Sequence, residues 1–91
     1  MAQIVVTIKI MPESPDVDLK KLEQKATQEI TNFGGDVGKV DIEPIAFGLK
    51  SVNLIFVMDE KLGNLDPLEE KINNIEGVQN AEVSDVRRAI G

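Results

Sequence analysis

Ile4, Val6, Ile8 and Ile10 alternate with Val5, Thr7 and Lys9 near the start of the chain. Period two with many β-branched residues predicts a strand, because successive side chains of an extended chain point to opposite faces. The segment MPESPD breaks that pattern. Val17, Leu19, Leu22, Ala26, Ile30 and Phe33 then recur at helical spacing, which gathers them on one face of a helix. Pro15 suits the first helical position, Ser14 or Asp16 the N-cap, and Gly34-Gly35 the stop. Residues 37 to 47 predict a second strand, with Val40 and Ile42 on one face and Lys39, Asp41 and Glu43 on the other.

A turn around Gly48 leads into a third strand over residues 50 to 58. Val52, Leu54, Phe56 and Met58 share its core face, and Asn53, Ile55 and Val57 the other. Asp66-Pro67-Leu68-Glu69 reads as a helix start: a capping residue, a proline in the first turn and an acid three residues on. Leu65, Leu68, Ile72 and Ile75 lie on one side of that helix, and Gly77 ends it. From Val78 to Ile90 the pattern is a fourth strand whose phase shifts between Val83 and Val86, as at a bulge or an early end. The order βαββαβ predicts an α+β fold: a two-layer ferredoxin-like sandwich, with a four-stranded antiparallel sheet, both helices on one face and the other face open. Residues 1–91 make one domain at this length.

Composition narrows the chemistry. Sixteen acidic against 10 basic residues give a net charge of −6, which argues against a nucleic-acid binder, whose affinity comes from clustered Lys and Arg. With no Cys and no His, disulfides, thiolate metal sites and the familiar nucleophile–base pairs are excluded. No metal and no cofactor are expected. The carboxylate neighbours Asp59-Glu60 and Glu69-Glu70 do not share a helix face and read as solvated surface. GGDVGK, at 34 to 39, has the wrong spacing for a phosphate loop and precedes a strand rather than a helix. On the predicted open face the first strand offers Val5, Thr7 and Lys9 and the third Asn53, Ile55 and Val57, none of them aromatic, so these strands lack the stacking platform that RNA-binding sandwiches use. MPESPD has no basic residue, which disfavours an acylphosphatase. Apolar runs of five residues at most predict no membrane span, and the N-terminus lacks the basic region and cleavage site of a signal peptide, so a cytoplasmic protein is expected.

Two surface features remain. Val5, Ile45, Phe47, Ile55 and Val57 fall together on the open face, an apolar patch of the kind that meets a partner or a second copy. The alternative is a crowded sheet end, with Phe47 as a plug beneath the fourth strand. Arg87-Arg88 is the only arginine pair, near the C-terminus of an acidic chain. It reads as a solvated pair or as a cationic finger for an anionic or metal-bearing site on a partner.

PIAFGLKSV, from Pro44 to Val52, resembles the proline–aliphatic–small–aromatic–glycine–aliphatic–lysine turn of the translation elongation factor 1-beta family, the nucleotide exchange factors of elongation factor 1-alpha. GVQNAEVSDVRRAIG resembles that family's closing segment, and MDEKLGNLDPLEEKI its acidic loop and last helix. The likeness covers nearly all 91 residues and matches the exchange domain alone, as in the archaeal form. It implies a guanine nucleotide exchange factor of translation elongation, promoting GDP release and GTP reloading on a GDP-bound or nucleotide-free elongation factor 1-alpha. Such a factor makes and breaks no covalent bond and so is not an enzyme; it is expected to be a monomer when free. The aromatic that enters a pocket on the GTPase falls on Phe47, followed by Gly48 and the turn's lysine, Lys50. The closing lysine, inserted near the Mg²⁺ and phosphate site, falls on Arg88, or on Arg87 if the register slips by one, with Ile90 beside them in the same segment. The chain departs from the family pattern at Asn80, Glu82, Val86 and Arg88, and an arginine keeps the charge of a lysine but not its shape or hydration. A small-molecule-binding regulatory domain that dimerises through its open sheet face is the rival reading.

Overall fold

The computed structural model describes residues 2–88. The elements are β1 (Gln3–Pro12), α1 (Leu19–Phe33), β2 (Asp36–Pro44), β3 (Lys50–Asp59), a 3₁₀ turn (Glu60–Leu62), α2 (Asp66–Asn73) and β4 (Val78–Arg88). The strands form one antiparallel sheet in the order β2-β3-β1-β4, the ferredoxin-like sandwich that the pattern predicts. Val6, Ile8 and Ile10 of β1 and Val52, Leu54, Phe56 and Met58 of β3 meet Leu22, Ala26 and Ile30 of α1 and Leu68 and Ile72 of α2 in one buried cluster. The central strands thus supply the middle of the core, and the alternating residues Val5, Thr7, Lys9, Asn53, Ile55 and Val57 take the face without helices.

Helix boundaries differ from those the sequence predicts. Asp18, not Ser14 or Asp16, caps α1: its Oδ1 accepts the Lys20 and Lys21 N–H groups at 3.0 and 3.3 Å. Ser14 closes a separate turn instead, its hydroxyl accepting the Asp16 N–H and its carbonyl the Val17 N–H, both at 3.3 Å. Pro15 therefore lies in the loop. In α2, Asp66 is the first helical residue and not its cap; its own N–H donates to Asn64 Oδ1 at 3.0 Å. The helix stops at Asn73, ahead of Gly77. Strand β2 ends at Pro44, three residues before the expected limit, because the chain turns at once.

Of the two alternatives expected in β4, a bulge or an early end, the bulge is the one present. Val83 pairs with Ile8 but Asp85 pairs with Thr7, so Ser84 is the extra residue. Paired residues share a face, so this one insertion decides where the last residues point. Val86 falls opposite Val6 on the helix face, Arg87 opposite Val5 on the open face, and Arg88 opposite Ile4 on the helix face. Without the bulge each would point the other way.

β4 is an edge strand, and α2 closes part of that edge. The Asn73 side chain accepts the Ala81 N–H at 2.8 Å and donates to the Ala81 carbonyl at 2.9 Å, as a neighbouring strand would. Glu69 Oε2 accepts the Val83 N–H at 2.9 Å.

Candidate functional site: a hairpin tip and a strand end

β2 and β3 are joined at the corner Ile45–Leu49. The Ile45 N–H donates to the Leu49 carbonyl at 2.7 Å, and the Leu49 N–H to the Ala46 carbonyl at 3.1 Å. The two residues between those partners, Phe47 and Gly48, have φ of 61° and 77°. Positive φ at both central positions is what a tight hairpin needs to match the strand twist, and asparagine or glycine usually provides it. Phe47 is the only non-glycine with positive φ among the described residues. For an L-residue that conformation costs about 1–2 kcal/mol. The residue is 94% exposed. The chain therefore carries strain and an unburied aromatic ring at the same residue. Gly48 supplies the second positive φ, and Lys50 follows as the exposed first residue of β3, opposite Pro44.

This geometry corrects the apolar patch expected on the open face. Val5, Ile55 and Val57 do share that face and are half-buried. Ile55, the nearest of them to the hairpin, lies five positions along β3 from Lys50, or about 16 Å at the usual rise per residue, and Val57 lies two further on, so Phe47 is not contiguous with them. Nor is Phe47 a plug beneath the fourth strand, because β2 and β4 occupy opposite edges of the sheet. Two further exposed apolar side chains, Ile42 and Ile45, flank the hairpin on the β2 arm.

Arg87 and Arg88 lie at the other end. Arg88 pairs with Ile4, which pairs with Met58 near the close of β3. That places about 25–30 Å of strand between the arginines and the hairpin tip, in a molecule 42 Å long. The predicted site residues thus form two groups, Phe47, Gly48 and Lys50 at one end and the two arginines at the other; Ile90 lies outside the described residues. Both arginines are held by carboxylates. Arg87 Nε donates to Asp85 Oδ2 at 2.8 Å, and Arg88 Nη2 to Glu60 Oε2 at 3.1 Å. The turn that carries Glu60 is well fixed: the Glu60 N–H donates to the Ala2 carbonyl at 3.2 Å and the Lys61 N–H to Asp59 Oδ1 at 2.9 Å. Sequence reasoning missed both carboxylates. Asp85 is legible, since residues two apart on a strand share a face; Glu60, 28 residues from Arg88, is not.

No group of three or more acidic residues that could hold a metal occurs among the described residues. No helix among them is long and apolar enough to cross a membrane. What the surface offers is shape and charge: a protruding aromatic ring at one end and two cations at the other.

A family model described as the EF-1 guanine nucleotide exchange domain matches residues 5–89. The elongation factor 1-beta of Methanothermobacter thermautotrophicus is 48% identical over 88 residues, covering 97% of this chain and 98% of that protein. The one from Staphylothermus marinus is 42% identical over 89 residues, with 97% and 98% covered. Among solved structures, the ACT domain from the GTP pyrophosphokinase of Chlorobium tepidum aligns with a TM-score of 0.60 at 20% identity, over 89% of this chain and 97% of that one. That likeness speaks of the fold alone.

Proposed function

We propose that this chain, which belongs to the EF-1 guanine nucleotide exchange domain family, promotes GDP release and GTP reloading on elongation factor 1-alpha by gripping that GTPase at both ends of its own sheet. The observation that carries the reading is Phe47. It is 94% exposed at a φ of 61°. Burying a phenylalanine yields about 1.5–3 kcal/mol, whereas the strained backbone costs about 1–2 kcal/mol. In the free protein only the cost is present. Docking of the ring in an apolar pocket of the partner supplies the gain, and the turn that holds the ring outward also limits the entropy lost on binding.

The exchange step needs no covalent chemistry. A factor that binds the nucleotide-free GTPase better than the GDP-bound form shifts the equilibrium toward release by the difference in affinity. Arg88, or Arg87, brings positive charge toward the partner's Mg²⁺ and phosphate region and opposes metal binding there. Their present carboxylate partners do not prevent this. An exposed ion pair is worth about 0–1 kcal/mol, so a phosphate or a phosphate-facing site takes over the guanidinium at small cost. The net charge of −6 suits a basic surface on a translation GTPase and makes the encounter salt-dependent. Residues 1–91 act as one exchange unit, as a monomer in the cytoplasm. The likeness to an ACT domain lends the rival ligand-sensor reading nothing beyond the shared fold.

The test is release of a fluorescent GDP analogue from the matching elongation factor 1-alpha, with this protein in substoichiometric amount. Fast release by the wild type, lost in Phe47→Ala and in Arg88→Ala, is the expected result. Loss in Arg87→Ala with Arg88→Ala active moves the cationic role by one residue. No acceleration by the wild type overturns the exchange reading.

A further inference from the structure

The β1–α1 loop and the hairpin tip meet behind Gly48 and leave a cleft of about 180 Å³. Pro15, Val17 and Leu19 give it apolar walls, Gly48 contributes bare backbone, and Ser14 and Lys50 add the polar groups. Small-molecule sites run to about 300–1,000 Å³, so this cleft has the size for a protein side chain rather than a metabolite. Lys50 is the one charged residue in its lining and forms no ion pair among the described residues. A Cβ placed on Gly48 would lie 3.9 Å from Pro15 Cγ, on the side of the cleft. Glycine there permits the φ of 77°.

We propose that this cleft is the second half of the Phe47 interface: it receives an apolar side chain of the same GTPase, with a carboxylate beside it that meets Lys50. The occupant follows from continuity. Phe47 and Gly48 are adjacent residues of one tight turn, so a protein surface that closes over the Phe47 ring also lies over the mouth of the cleft. The chain leaves those walls unfilled, and the only charge in them is positive. Docking is then reciprocal, with a ring of this protein in the partner and a side chain of the partner behind that ring.

The inference rests on the exchange reading, and the experiment separates the two. Fluorescent GDP release is titrated with wild type, Phe47→Ala, Ser14→Trp, Lys50→Glu and Lys71→Glu. Ser14→Trp fills the cleft. Lys71→Glu, at an exposed position of α2 outside the cleft lining, makes the same change in net charge and controls for long-range steering. Thermal midpoints report that each variant is folded. The expected result is that Ser14→Trp and Lys50→Glu each raise the half-maximal concentration about tenfold or more, as loss of a central contact does, while Lys71→Glu does so far less. Wild-type affinity in Ser14→Trp, with Phe47→Ala inactive, overturns the cleft and leaves the exchange reading standing. Equal losses in Lys50→Glu and Lys71→Glu overturn the carboxylate contact. No acceleration by the wild type overturns both.

Discussion

The Arg88 guanidinium donates to Glu60 Oε2 at 3.1 Å, and Glu60 is anchored in turn through its own N–H to the Ala2 carbonyl. The end of β4 is thereby tied to the turn after β3 and to the start of β1. Among the described residues the Arg87 guanidinium is tied to Asp85 alone, on its own strand. The two arginines thus have separate restraints, on opposite faces of the sheet.

Removing each restraint alone identifies the working cation. With Arg88 in that role, Glu60→Gln frees it and raises the GDP release rate at limiting factor, by up to about fivefold for a surface pair worth up to about 1 kcal/mol. Asp85→Asn then leaves the rate within about twofold of wild type. The reverse pattern assigns the role to Arg87. Stopped-flow release at low ionic strength is the measurement, and the difference shrinks as salt screens these exposed groups.

Phe47 sets function against stability at a single residue. Phe47→Gly removes the left-handed strain of about 1–2 kcal/mol but adds unfolded-state freedom worth about 0.5–1 kcal/mol. The net expectation is a gain of about 0.5–1 kcal/mol, or a midpoint a few degrees higher at roughly 4–8 °C per kcal/mol for a domain of this size. Phe47→Ala keeps the strain and leaves stability close to wild type, since the residue is 94% exposed. Both variants lose exchange activity. Calorimetry beside the release assay checks this, and a destabilised Phe47→Gly would mean that the ring packs against its own chain.

Much of this fold is legible because its two periodicities are clean. Val6, Ile8 and Ile10, and Leu22, Ala26 and Ile30, are fully or almost fully buried, as their spacing predicts. Position along an element matters where periodicity is silent. Ile42 and Val86 occupy core-face positions of their strands yet are about half exposed, because each lies near a strand end on an edge strand. Phe47 is harder still. An apolar residue at a turn can fold inward or stand out, and only the positive φ of this turn fixes the outward course. Local polar pairings were also hidden. Ser14 satisfies its own turn, which displaces the cap of α1 to Asp18, and nothing in the spacing of Asn73 shows that it pairs with a strand edge. The two groups of site residues are visible in the sequence, but their separation along β3 follows only from the register.

Gly35 marks a close approach that the packing requires. A Cβ there would lie 2.7 Å from Ile30 Cγ2 and 2.8 Å from Phe56 Cδ2, both side chains of the buried core. Gly35→Ala therefore overpacks the junction of α1 and β2 and costs about 1–3 kcal/mol. Gly38, at the register shift of β2, has nothing within 4 Å of such a Cβ, and Gly38→Ala is expected to be nearly neutral. Urea denaturation of the two variants makes the comparison, and equal midpoints would refute the steric account.

The arginines depend on β4 keeping its bulge, and α2 guards the residues just before it. Asn73→Ala leaves the Ala81 N–H and carbonyl without their side-chain partner and is expected to cost about 1–3 kcal/mol. Amide exchange at Ala81 should accelerate with it. Glu69→Ala frees the Val83 N–H, the last one paired with α2 before Ser84. A looser bulge lets the strand sample the register in which Arg87 and Arg88 trade faces. Glu69→Ala is therefore expected to reduce GDP release by more than its loss of stability explains, whereas Glu69→Gln, which retains a carbonyl acceptor, restores most of it. Hydrogen exchange at Val83, read beside the release rate in both variants, tests that link. Fast exchange at Val83 with an unchanged release rate would show that the faces of the two arginines are set by the pairing with β1 alone.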